Sequence, residues 1–282
     1  MSKNLSAVAS TQFDDMVKQA FQTAGRLRNY VTLRNNVVGD TYKFRAMGKG
    51  LATQRTAPSS DTIPMDIAHS LITCSLTNWD ADEYTDIFDT KEVNFDEVNE
   101  LATTISSALG RRLDQLIIDA CINAGAYAGT VGTDIGGVGT GMNLSKLRKA
   151  KRYLDEGAVT AGGRIMMISA AGLESLLGET PVTSSDYNTV KALTNGEINT
   201  FMGFEFELIE TRTEGGLPLA GAVRDGFAFQ RDALGLAIGM DISTKIDWIA
   251  QKKSWLSAGQ MKAGAIARDT AGIVKIVSTE VA

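Results

Sequence analysis

The stretch from Asn94 to Gly125, NFDEVNELATTISSALGRRLDQLIIDACINAG, constrains the fold more than any other part of the chain. Asn94 can cap a first turn, and Glu97, three residues on, can reach back to the cap's backbone N–H. Apolar residues then recur at Phe95, Val98, Leu101, Ala102, Ile105, Ala108, Leu109, Leu113, Leu116, Ile117 and Ala120, which keeps one stripe facing a packing surface. Gly125 stands where a left-handed C-terminal cap belongs. A helix over 95–124 follows, roughly 43–45 Å long at about 1.5 Å per residue, which is longer than a small domain is wide. Such a helix is a spine, and the remaining chain must supply the surface that covers it.

The 282 residues, 44% of them hydrophobic, are ample for a packed core. No apolar run reaches membrane-spanning length, and the residues after Met1 (SKNLSAVAS) lack the apolar block of a secretory signal, so no membrane partner is expected. Cys74 and Cys121 lack metal-site spacing and read as small buried hydrophobes. A single histidine, His69, excludes a His-ligated zinc centre and leaves any catalytic triad one candidate base. No cofactor is expected.

Charge is distributed in blocks. Residues 1–60 carry nine basic residues against three acids, whereas 61–100 carry one against eleven. Such blocks can pair within one molecule or set register between two. The basic block also permits contact with nucleic acid.

Residues 10–22 place Phe13, Met16, Val17, Ala20 and Phe21 on one face of a short helix, whose stripe must be buried on its own body or on a neighbour. VVGDTYKFRA reads as a turn at Gly39-Asp40 entering a strand, with Tyr42 and Phe44 on one face and Lys43 and Arg45 on the other. A returning strand runs from Asp66 to Trp79. The intervening MGKGLATQRTAPSSDTIP has no periodic apolar face, so the two strands form an arm projecting from the body. NWDADEYTDIFDTKEV lacks the glycine an EF-hand needs, with Thr85 in its place, and reads as a solvated acidic segment. The glycine-rich AYAGTVGTDIGGVGTG lacks the Lys-Ser/Thr of a Walker loop and follows a helix instead of a strand, so it reads as a flexible connection.

Beyond it, a helix starting at Asn143 and ending at Gly157, a buried strand GRIMMIS and a short helix AAGLESLLG alternate, TSSDYNTVKALTNG continues as helix, and INTFMGFEFELIE is a strand broken at Gly203. GFAFQ, LGLAIG and DISTKIDWIA read as further strands. Ser169 lies between a strand and a helix, but Met167 and Ala171 replace the glycines of a nucleophile elbow. MKAGAIARDTAGIVKIVSTEVA reads as a hairpin turning at Asp269–Gly272, its strands suited to cover the stripe of the long helix. The class is α+β.

The stretches GDTYKFRAMGKG, EYTDIFDTKEVNFDE, ALGRRLDQLIIDA, TSSDYNTVKALTNGEINTFMGFEFELIE and WLSAGQMKAGAIARD resemble the major capsid proteins of tailed bacteriophages with the HK97-like fold, in a podophage and marine-phage branch. The resemblance implies an N-terminal arm at 1–36, an E-loop at 37–78, a peripheral domain at 79–125 and 255–282 containing the spine helix, and an axial domain at 126–254. It implies a non-enzymatic shell protein that assembles with itself as pentamers and hexamers around phage double-stranded DNA, in the bacterial cytoplasm. Its further partners would be a separate scaffolding protein, a portal protein and, on some shells, a decoration protein. No N-terminal processing is expected, nor a covalent cross-link through Lys43 or Lys49.

On this reading the contact candidates between subunits are Phe13, Val17, Lys43, Arg45, Lys49, Arg55, Asp80, Asp82, Glu83, Asp86, Arg268 and Asp269. Arg111 and Arg112, on the polar side of the helix, are candidates for shell contacts or for the DNA-facing surface. The competing readings are a hydrolase using the acidic 80–100 cluster with Ser169 or His69, and a nucleic-acid-binding protein using the basic first segment.

Overall fold

The computed structural model describes residues 25–59, 61–88, 97–179 and 200–280. The expected arm helix with Phe13 and Val17, the Asn94 cap and the helix expected within 183–196 lie outside the described residues.

The spine is present as α1, Glu97–Ile122. Its 26 residues span about 39 Å. Ile105, Leu109, Leu113, Ile117 and Ala120 of the anticipated stripe are buried, and so are Ser107, Asp114, Ile118 and Cys121 on a second face. The helix is covered on two sides because it lies between two sheets, and one core cluster draws residues from both of them.

The first sheet has four strands in the order β1 (Thr32–Arg34), β11 (Leu234–Ile249), β12 (Ser254–Ala267), β4 (Thr77–Asp86). Only β1 is parallel to its neighbour. Met261 and Ala263 of β12 face α1, and Gly259 lies against Ile105 and Leu109, so the C-terminal segment does cover the spine. The two segments expected as separate strands after 233 are one 16-residue strand whose register shifts between Ile238 and Ser243.

The second sheet runs β5 (Gly129–Val131), β13 (Ile273–Thr279), β10 (Val223–Gln230), β6 (Arg164–Ile168), β8 (Phe204–Leu208), β7 (Thr200–Phe201), with β9 (Leu219–Ala220) added on β10. The alternation of β6 explains its burial on both faces. Ile165 and Met167 join the core under α1, and Met166 and Ile168 join a second core under α2 (Leu144–Glu156) and α3 (Ala170–Leu177). Asn143 caps α2, and Met202 and Gly203, at φ 54° and 85°, make the two-residue turn between β7 and β8.

Further expectations are corrected. The C-terminal hairpin does not form: β12 has β11 and β4 on its two sides and β13 has β10 and β5, so neither has an edge for the other. Residues 268–272 instead turn a corner between sheets, with Asp269 Oδ1 accepting from Ala271 N at 2.9 Å. The Asp66–Trp79 strand is divided at Leu76 into β3 (His69–Ser75) and β4. The acidic segment is itself β4, since Trp79 and Ala81 alternate with acids and pack toward α1. The glycine-rich connection is also tied down, with Thr140 Oγ1 donating to Ile135 O at 2.8 Å and Thr279 N to Thr140 O at 3.0 Å.

Lys146, in the first turn of α2, is fully buried, and its Nζ donates to Thr140 O at 2.7 Å and Val277 O at 2.9 Å. Burial pushes its ammonium down to about 8, against the nearby Asp134 carboxylate. Between that value and the unfolded value of about 10.5, the unfolded chain holds a proton that the folded chain has released. Stability from this group therefore rises with pH across that window, by at most about 1.4 kcal/mol per pH unit. The melting temperature of the wild type relative to that of Lys146→Met is expected to rise from pH 8 toward 10.5; a flat relation would show that the lysine is not desolvated.

Candidate assembly interface

β2 (Thr41–Met47) pairs antiparallel with β3 and, among the described residues, with no other strand, making a two-stranded ribbon. Its root is fixed to the face of the four-stranded sheet opposite α1. Phe44, Cys74 and Leu76 form a small core with Ala237, and Ile266 packs against it. Gly264 makes this docking possible, because a Cβ there would collide with the backbone carbonyl of Ser75. Lys262 Nζ meets Asp40 Oδ1 at 2.6 Å, which holds that carboxyl below its ordinary range, and the Arg268 guanidinium lies 5.2 Å from the Phe44 ring centre.

Past the root the ribbon leaves the body. Lys43 and Arg45 are exposed on one face, Met47, Leu51, Ile63, Met65 and Leu71 are exposed apolar side chains, and Lys49 and Arg55 lie on the exposed tip. A lone two-stranded ribbon is marginal in water, and both of its edges offer unpaired backbone groups. The residues that sequence reasoning assigned to a basic arm are thus brought together on one element that, past its root, the described residues leave exposed.

Asp80, Asp82 and Glu83 are exposed on β4, and Asp86 closes the following turn by accepting from Phe88 N at 2.8 Å. β4 is an edge strand, with β12 as its partner on one side. Of the other candidates, Arg268 and Asp269 have the internal roles given above. Arg111 is half-buried, and Arg112 is engaged inside the subunit, its guanidinium 3.6 Å from the Trp79 ring centre and 3.6 Å from Glu214.

A second cluster escaped the sequence reading. Asp114 is fully buried on α1, yet its carboxylate accepts from Leu27 N at 2.9 Å, from Arg26 N at 3.0 and 3.1 Å, and from Arg212 Nη2 at 3.1 Å. Gln115 Oε1 accepts from Gly215 N at 2.6 Å beside it. Burial pushes the Asp114 carboxyl up, and those donors pull it back. Gly25, at φ +95°, lets the incoming chain lie directly on the Gly110 backbone. Arg26 also reaches Glu207 at 3.7 Å, a carboxyl raised by burial, and Tyr30 is pushed up to about 12 by burial and by Glu207 and Glu205. The cluster fastens the exit of the N-terminal segment to the spine and to the second sheet. Its one sequence signal was an acid flanked by apolar residues in the spine.

The residues proposed for hydrolysis are not brought together. His69 is exposed at the start of β3 on the ribbon, whereas Ser169 caps α3, accepting from Gly172 N and donating to Glu280, which also holds Arg224 Nε at 2.6 Å. Among the described residues no cluster of His, Cys, Asp or Glu could hold a metal ion, and no helix is long and apolar enough to cross a membrane.

A family model described as phage capsid protein matches residues 5–280. No curated protein matches the chain in sequence. Among solved structures, the capsid of cyanophage P-SCSP1u superposes with a TM-score of 0.78 at 15% identity, covering 100% of this chain and 96% of that one. The capsid of Helicobacter pylori bacteriophage KHP30 gives 0.78 at 10% identity, covering 99% and 98%. The capsid of the native GTA particle gives 0.70 at 17% identity, covering 99% of each. The spine helix between two sheets and the projecting ribbon are the HK97-like capsid fold, and the chain belongs to the phage capsid protein family, whose members associate with themselves to form the shell of the virion.

Proposed function

We propose that this chain is the major building block of an icosahedral shell of pentamers and hexamers around phage double-stranded DNA, assembled in the bacterial cytoplasm without catalysis of its own. Residues 1–36 serve as the arm, 37–78 as the E-loop, 79–125 and 255–282 as the peripheral domain, and 126–254 as the axial domain. Within these bounds β11 packs on the spine helix and β13 lies in the second sheet. A separate scaffolding protein and a portal are its expected partners, with a decoration protein on some shells, and Arg111 and Arg112 are the candidates for contact with the shell or the DNA.

The observation that carries this reading is the uncovered ribbon. It holds Lys43, Arg45, Lys49 and Arg55 away from the body, while the acids of β4 stand exposed on an edge. In the shell the ribbon of one subunit lies across β4 and the spine of the next. Each exposed ion pair contributes only about 0–1 kcal/mol, but the contact repeats around a closed surface.

Electron microscopy of the purified recombinant chain, alone and co-expressed with a phage scaffolding protein, is expected to show icosahedral particles or capsomers. Dispersed monomers under both conditions would overturn the reading.

A further inference from the structure

The exposed edge of β4 and the tip of the ribbon are complementary in backbone as well as in charge. β4 pairs with β12 along Thr77–Asp86, so every second residue directs its N–H and C=O outward, and no strand of the described residues receives them. Between residues 49 and 57 the chain is exposed and belongs to no strand or helix, and it makes no backbone–backbone hydrogen bond to another described residue, while Ala57 O accepts from Arg55 Nε at 3.2 Å. It contains no proline, so each N–H is available to a partner, and Pro58 ends it.

The four-stranded sheet has a second open stretch, the far side of β11 beyond Ile238. There Lys245 offsets Asp247, and Arg28 already bridges to Asp241 at 2.6 Å, so no net negative charge is offered to a basic segment. β4 carries four acids and no basic residue. Charge therefore selects β4 for Lys49 and Arg55.

We propose that residues 49–57 of one subunit add as an antiparallel strand to the outer edge of β4 of a second copy, with Lys49 opposite Asp86, Leu51 opposite Tyr84, Thr53 opposite Asp82 and Arg55 opposite Asp80. Side chains alternate with period two in both strands, so these four pairs share one face. This register places both cations directly opposite acids and the one large apolar residue opposite an aromatic ring, whose other neighbour is Lys252 Nζ at 3.7 Å. An antiparallel shift by two residues, setting Arg55 opposite Asp82, leaves Lys49 opposite Phe88, and a parallel arrangement puts Leu51 opposite an acid.

The partner is a second copy because the ribbon's paired length of seven residues carries the tip about 23 Å from the root of its own β4. The proposal rests on the shell reading and specifies how its main contact is made.

The test is a pair of double variants in assembled particles under mild oxidation. Directly opposed residues of antiparallel strands lie within disulfide reach, and the native Cys74 and Cys121 are buried. Thr53→Cys with Asp82→Cys is expected to give covalently linked chains on non-reducing gels. Thr53→Cys with Glu83→Cys, on the opposite face, is expected to give few. Equal linking in both, or none in the first, overturns the proposed register. A density map of wild-type particles decides independently of any variant: residues 49–57 beside β4 of the adjacent subunit support the proposal, and the same residues elsewhere overturn it while leaving the shell reading intact. Failure of the wild-type chain to form particles would overturn both.

Discussion

Removing residues 47–65 is expected to yield a soluble, folded subunit that forms no shells. The excision joins Ala46 to Asp66, and Ala46 already faces Ser70 across the ribbon, so residues 66–69 remain as a four-residue hairpin connection. The root core of Phe44, Cys74 and Leu76 is untouched, as are both sheets and the spine. Unfolding free energy should therefore stay within about 1 kcal/mol of the parent, because shortening a flexible surface loop changes closure entropy only slowly. Assembly should be lost altogether, because the excised tip includes Lys49 and Arg55 and the exposed Met47, Leu51, Ile63 and Met65. Circular dichroism with negative-stain microscopy separates the two effects. Normal particles from the deletion would sink the assignment of the ribbon as the main contact.

The largest expected loss of stability lies elsewhere, at Asp114. Replacing it with Ala removes the acceptor for the N–H groups of Arg26 and Leu27 and for Arg212 Nη2, at a site from which water is excluded. Removing one partner of a buried charge pair costs about 3–5 kcal/mol. Glu210, 3.4 Å from Arg212, offsets only part of this, because it does nothing for the two backbone donors. Urea unfolding of Asp114→Ala in the ribbon-deleted background measures the effect free of assembly. A loss below about 1 kcal/mol would mean that the segment at 25–27 is held by Leu27 burial alone.

Much of the architecture was legible in the sequence because it rests on periodicity. The spine, the buried strand at 164–168, the helix starting at Asn143 and the break at Gly203 each follow from a local pattern, although the segment read as one broken strand there is two strands joined by a turn. One error has its cause in competition for strand edges. Residues 263–277 carry the pattern of a hairpin, and only the presence of β11, β4, β10 and β5 on the available edges prevents one. β4 was hidden for a different reason: its acids obscure the alternation of Trp79, Ala81 and Thr85 toward the core, and they are tolerated because the strand lies at an edge. Of the contact candidates, the ribbon residues and the acids of β4 proved to be exposed on separate elements. The Asp114 cluster was illegible because its partners lie 87 and 98 residues away in the chain.

The position of β13 bears on the timing of synthesis. It is the last strand made among those described, yet it sits inside the second sheet, between β5 and β10. During translation neither of those strands can complete its pairing, and the core shared with the spine stays open at Ile273, until the corner at 270–272 and the strand beyond it have left the ribosome. Domains fold as units as the chain emerges. A nascent subunit therefore cannot close its second sheet until nearly all of the described chain has been made.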